Sequence, residues 1–199
     1  MSELLISALQ HLMIVAVAIS ISAVLGVILG ILSYWVRPLG VFLIKLAELI
    51  QTIPSLALLA MLMIVFGLGN TTMIVGLVLY ALLPIIQNSY TGLITIPSYI
   101  KDAAKGMGMS KLQRLVKIEL PLSFPLIFSG IKIALVNSLS IAVMGVLIGA
   151  DGLGYIIYRG IQQRNIERIL MGAIPVVLMA LLFDYVMTKI ERKLSGNRI

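Results

Sequence analysis

No cysteine occurs among the 199 residues, which removes both a disulfide framework and thiolate metal ligands and leaves the redox compartment open. Charge is nearly as scarce: Asp, Glu, Lys and Arg make up 12% of the chain against 60% hydrophobic residues. A soluble domain needs a more polar surface than that, so the natural solvent of this chain is a bilayer. A single histidine, His11, has no second metal-type residue nearby, so no metal site is expected, and its place near the outer end of an apolar run reads as interfacial. Acidic residues are scarcest, eight against fifteen basic ones, for a net charge of +7. The basic residues form no stripe interleaved with aromatics, so nucleic acid is not the expected partner. They gather at the ends of apolar runs, the distribution that membrane orientation produces. A Walker-type phosphate loop is also missing. The glycines at 149, 152 and 154 follow no strand and precede no Lys-Ser or Lys-Thr, and read as an external turn.

What is present is long apolar sequence. Stretches without Asp, Glu, Lys or Arg run over 4–36, 49–100, 133–150 and 169–183. A spanning helix needs about 20 apolar residues, and the turn signal Gly67-Leu68-Gly69-Asn70 divides the second stretch. Five spans are expected, over 8–33, 41–66, 71–92, 122–148 and 168–188. They lack the alternation of barrel strands, and helices then satisfy the backbone in lipid. The start Met1-Ser2-Glu3 lacks the basic flank of a cleavable leader and reads as the beginning of a retained first helix. Without a repeat or low-complexity segment, residues 1–199 read as one domain.

The loop after the third span carries Lys101, Lys105, Lys111, Arg114 and Lys117, and the tail carries Lys189, Arg192, Lys193 and Arg198. The positive-inside rule puts both in the cytoplasm and the N-terminus outside. Arg159, Arg164 and Arg168, partly offset by Asp151 and Glu167, fall on the outer side. Small residues Ala18, Ser22, Gly26 and Gly30 recur every four positions in the first span and predict a groove for a neighbouring helix.

Within the basic loop, Lys111, Arg114 and Lys117 share one side of an amphipathic segment and Leu112, Leu115 and Val116 another. From that pattern alone, a helix lying on anionic headgroups is an open reading. The spacing adds a resemblance. Asp102-Ala103-Ala104, then Gly108, then Ile118, Leu120 and Pro121 resembles the motif of binding-protein-dependent ABC importer permeases, with Asp102 in place of the usual Glu. Three further segments look like permeases of osmoprotectant importers: Gln51-Thr52-Ile53-Pro54-Ser55-Leu56-Ala57, Tyr80 to Leu93, and Ile148-Gly149-Ala150-Asp151-Gly152-Leu153-Gly154. The third is shared in looser form with amino-acid importers such as those for methionine. No fused substrate-binding domain is expected on this chain.

The resemblance implies an all-α membrane protein of the methionine-importer-like transmembrane fold, with about five spanning helices and coupling helices in the loop between the third and fourth. It implies a permease without catalytic residues of its own and a second permease, identical or homologous. Two ATPase subunits holding ATP and Mg, and an extracellular binding protein for a quaternary amine such as glycine betaine, carnitine or choline, complete the implied assembly. An amino-acid permease and a purely structural membrane protein are the rival readings.

Polar side chains in spans usually face protein or water. Gln51 and Ser55 share a face of the second span, Gln87 and Asn88 of the third, and Asn137 and Ser140 of the fourth. They are candidates either for a translocation pathway or for hydrogen bonds that hold the bundle together. Pro54 and Pro84 free backbone carbonyls within the bilayer, in keeping with either helix bends or a polar conduit. Lys45, Glu48, Lys132 and Asp184 are the charges inside spans, all in the inner third of the membrane by helical rise. Lys45 can snorkel, whereas Lys132 needs a partner, with Glu48 or Asp184 at comparable depth.

Overall fold

The computed structural model describes residues 2–196, and they are helical almost throughout, with no strand among them. Four continuous helices are long and apolar enough to cross a bilayer: Glu3–Trp35, Asn70–Ile94, Lys111–Ile148 and Ile166–Lys193. They correspond to α1 (Ser2–Trp35), α4 (Asn70–Ile94), α7 (Leu120–Ile141) with the turns on either side of it, and α9 (Ile166–Gly196).

The expected second span is not one helix. Residues 41–66 fall into α2 (Arg37–Thr52) and α3 (Ser55–Phe66), which meet at a bend of 102°. Pro54 explains the break: it brings no N–H and drives the preceding residue out of the helical region, and Ile53 is extended at φ −71°, ψ 127°. Counted together, the pair makes a fifth crossing with a broken middle.

Two carbonyls, one freed by Pro84 and one at the break before Pro54, are then answered across one helix contact. Pro84 inside α4 gives Tyr80 no partner four residues on, and Gln51 Nε2 donates to the Tyr80 carbonyl at 2.9 Å. The Tyr80 hydroxyl in turn donates to the Ile53 carbonyl at the break. In lipid an unanswered carbonyl costs several kcal/mol on the order of a lost hydrogen bond, so this reciprocal clasp is what permits the bend.

The centre of the bundle is α4, packed against α1, α2, α3 and α7. The α1 groove works as its spacing predicts: Ala18, Ser22, Gly26 and Gly30 are buried, and a Cβ on Gly26 would lie 2.6 Å from Ile85 of α4. On the other flank, a Cβ on Gly130 of α7 would lie 2.6 Å from the Pro84 carbonyl oxygen. Small residues thus set both close approaches, as van der Waals packing in membranes requires. The core between them holds Val15, Met73, Leu77, Ile85 and Leu139, each fully or almost fully buried. By contrast α9 keeps one broad apolar face outward, including Leu178, Leu181 and Leu182.

Candidate functional site

At one end of the bundle lies the basic loop. The first short helix, α5 (Ser98–Gly106), follows Pro97 and exposes Asp102 and Ala103 while burying Ala104. It closes in a Schellman arrangement: the Met109 amide donates to the Ala104 carbonyl at 3.2 Å and the Gly108 amide to that of Lys105 at 3.0 Å. Gly108 is the left-handed residue this ending needs, at φ +80°, and open space surrounds the position its Cβ would take. One residue later Ser110 begins α6 (Lys111–Arg114) with a capping box. Its hydroxyl accepts from the Gln113 amide at 3.3 Å, and Gln113 Oε1 accepts from the Ser110 amide at 2.9 Å. The spacing of Asp102-Ala103-Ala104 to Gly108 is therefore one helix and its stop. The turn between the helices exposes Met107, with Leu112 and Val116 exposed on the segment that follows.

After α6 the chain widens into a π turn (Leu115–Glu119) before α7, in which the Leu120 amide reaches back to the Leu115 carbonyl. Ile118 and Leu120 are half-buried at this junction, and Pro121 occupies the first turn of α7, where its missing N–H is tolerated. The wide turn has a consequence that the sequence pattern does not announce. It brings residues five apart onto one side, so Arg114 Nε meets Glu119 Oε1 at 2.7 Å, with Glu119 only 1% exposed. The Tyr34 hydroxyl of α1 donates to the same oxygen at 3.4 Å. Lys101 of α5 lies 5.0 Å over the Tyr34 ring and donates to the Leu93 carbonyl at 2.9 Å. Both short helices are thus tied to the ends of α1 and α4. Glu119 sits at the variable position between Ile118 and Leu120, and its one signal in the sequence is an opposite charge five residues earlier.

The polar positions divide. Gln51 answers the Tyr80 carbonyl, Gln87 Nε2 donates to Glu48 Oε1 at 3.1 Å, and Asn88 Nδ2 donates to the Pro84 carbonyl at 2.8 Å. These join α2 to α4 or brace α4 at its proline. Ser55 is half-buried, while Asn137 and Ser140 are exposed on α7, and none of the three makes a side-chain hydrogen bond among the described residues. The structure does not bring all six together: α7 packs on α4, α9 and α1 rather than on α2.

The in-span charges need a correction. Lys132 pairs with neither Glu48 nor Asp184, both of which are exposed. Its partner is Glu191 at 2.7 Å, with Thr188 Oγ1 at 3.5 Å. The α9 helix continues past the expected span end at 188, so Thr188 and Glu191, three apart, present one face to α7.

At the opposite end His11 also departs from expectation. Rather than interfacial it is fully buried, with Nε2 3.0 Å from the Leu139 carbonyl. Leu139 lies near the end of α7, where the chain tightens into 3-10 turns (Ala142–Ile148) and helical carbonyls lose their usual donors. Beyond them Gly149 turns left-handed at φ +73°. Asn70 then clasps the turn, donating from Nδ2 to Asp151 Oδ2 and accepting from the Asp151 amide, both at 2.8 Å.

Similarity to known proteins decides the class. A model of binding-protein-dependent transport system inner membrane components matches residues 22–196. The chain belongs to this family. It is 44% identical over 187 residues to the glycine betaine/carnitine/choline transport system permease protein OpuCD of Bacillus subtilis, covering 94% of this chain and 82% of that one. The choline transport system permease protein OpuBD of the same organism is also 44% identical, with coverage of 94% and 83%. Among solved structures, the MetNI methionine ABC transporter in an inward-facing conformation matches with a TM-score of 0.86. It is 25% identical, over 98% of this chain and 97% of that one. The chain is accordingly an all-α, multi-pass ABC permease component of the inner membrane, and its helices are elements of that permease fold.

Proposed function

We propose that this permease carries a quaternary-amine osmoprotectant, glycine betaine, carnitine or choline, inward across the bacterial cytoplasmic membrane. The observation that carries the solute class is the 44% identity, over nearly the whole chain, to permeases named for those compounds. The chain works as one transmembrane domain paired with a second copy or a homologue. Two ATPase subunits hold ATP and Mg and hydrolyse the nucleotide, and an external binding protein delivers the solute. The N-terminus faces outward, and the basic loop and C-terminus face the cytoplasm, in keeping with the Lys and Arg distribution.

In this reading α5 and α6 are the coupling helices. Asp102, Ala103, Ala104 and Gly108 shape the convex turn that seats in an ATPase groove, and Ile118, Leu120 and Pro121 carry its displacement into α7. Exposed Met107 and Leu112 supply apolar contact. Ser55, Asn137 and Ser140 belong to the pathway, which opens alternately to either side as two permease halves rock apart. Gln51, Gln87 and Asn88 flank it while holding the bent segment. The likeness to MetNI supports a second reading, an amino-acid permease. Uptake of labelled glycine betaine, carnitine, choline and methionine by the assembled transporter in proteoliposomes separates the two. ATP-dependent uptake of the quaternary amines is expected, and methionine uptake alone would overturn the reading.

A further inference from the structure

The end opposite the basic loop contains an open cavity of about 600 Å³ between the start of α1, the Gly149–Gly152 turn and α8 (Gly154–Gln162). That volume falls within the range of small-molecule sites. Its lining includes Gln10, Asp151, Tyr155, Tyr158 and Arg159. Asp151 and Arg159 carry opposite charges into one cavity, yet they do not pair with each other: the ion pairs among the described residues are Arg114–Glu119 and Lys132–Glu191. Asn70 fixes the Asp151 carboxylate through one oxygen, and the other makes no hydrogen bond among the described residues. The Arg159 side chain makes no hydrogen bond among the described residues. Its guanidinium stacks 5.3 Å from the Tyr155 ring centre, which sets its position and leaves its donors open.

Both tyrosines line the cavity and are partly exposed, 43% for Tyr155 and 37% for Tyr158. The cavity floor is thin by construction: Gly152 sits at φ +121°, and a Cβ there would come within 3.0 Å of buried His11 Nδ1. The buried His11 ring lies directly beneath it, so only glycine fits there. Aromatic faces beside a carboxylate attract a quaternary ammonium, which has no N–H to donate. A guanidinium with free donors takes a carboxylate.

We propose that this cavity is a solute subsite of the permease itself, taking a small zwitterion with its quaternary ammonium against Asp151, Tyr155 and Tyr158 and its carboxylate on Arg159. The assignment rests on the osmoprotectant reading and adds to it a mode of discrimination. Glycine betaine and carnitine carry both charges, whereas choline carries only the ammonium and leaves Arg159 unanswered.

The test uses the complete transporter, with its ATPase and binding protein, in proteoliposomes. The dependence of uptake on solute concentration is measured for all three compounds at saturating binding protein. Arg159→Gln is expected to lower the uptake efficiency of glycine betaine and carnitine about tenfold relative to choline, the scale of a charged hydrogen bond. Arg159→Lys should restore part of that loss. Asp151→Asn should weaken all three. Quantifying inserted protein separates these effects from misassembly. Equal loss for all three solutes in Arg159→Gln, or no loss, overturns the subsite while the importer assignment stands. Loss of ATPase stimulation by solute-free binding protein in the same variant overturns it as well, making the cavity a docking face. A wild-type transporter that imports none of the three overturns the osmoprotectant reading and the subsite with it.

Discussion

The two ends of the bundle are built by opposite means. At the basic loop two short helices are closed by a Schellman turn and a capping box, and an ion pair buried on one side anchors them. At the other end the surface is concave, held by amide and carbonyl hydrogen bonds around Asn70 and Asp151, with two opposite charges left apart. A knob tied inward through the Arg114–Glu119 pair is suited to pushing as a rigid body against a partner. A hollow whose charges are unsatisfied is suited to receiving a polar solute.

The largest expected effect is at the knob. Glu119→Leu strands Arg114 and loosens both short helices from α1. It should cost about 2 kcal/mol, the scale of a lost charged hydrogen bond, and reduce transport more than tenfold while ATP hydrolysis continues. The ratio of solute moved to ATP consumed, with thermal unfolding of the purified complex, checks this. A variant with normal coupling would mean that the Arg114–Glu119–Tyr34 tie does not hold the loop.

Next comes Gly108, where two substitutions separate the turn from the docking. Gly108→Ala strains the left-handed residue by about 1–2 kcal/mol. Open space surrounds the Cβ of either substitution, so Gly108→Trp carries the same backbone strain as Gly108→Ala. The two variants should therefore unfold at similar temperatures as isolated permeases. In the complex, Trp should uncouple hydrolysis from uptake far more than Ala. Equal behaviour in the complex would remove the docking role from this turn.

Smaller effects sharpen the contrast within the spans. In the cysteine-free chain, cysteines at Ser55, Asn137 and Ser140 should react with a water-soluble thiol reagent at rates that change with ATP. Cysteines at Gln51, Gln87 and Asn88 should react less, and Gln51→Leu should destabilise by about 1–3 kcal/mol through the stranded Tyr80 carbonyl. Uniform protection at all six positions would return them to bundle packing. The least effect is expected from Lys132→Met with Glu191→Met, because this pair is partly exposed and such pairs contribute under about 1 kcal/mol. A loss of several kcal/mol in denaturation would assign α9 a larger structural part.

Much of this was legible in the chain because it depends on local rules. The apolar runs gave the spans, and the four-residue spacing of Ala18, Ser22, Gly26 and Gly30 gave the groove in which α4 packs. What escaped depended on departures from regular helix. Pro54 is compatible with either a bend or a break, and only the Gln51–Tyr80 clasp makes a 102° break tolerable. Glu119 meets Arg114 because a π turn rotates it there, and His11 is buried where 3-10 turns change the carbonyl pattern of α7. Glu191 read as tail because apolarity ends before the helix does. The segment after Asp151 read as a loop, so the tyrosines of α8 were not placed around one cavity.

The central claim, that the basic loop is the end that meets the ATPase, is tested most directly by cross-linking in the assembled transporter. Met107→Cys on the exposed turn and Tyr155→Cys on the opposite end are each paired with cysteines placed along the ATPase groove. The account expects a disulfide from position 107 to the ATPase, with a yield that shifts between ATP-bound and nucleotide-free states, and none from position 155. A cross-link from position 155, or none from 107 in any nucleotide state, would contradict it.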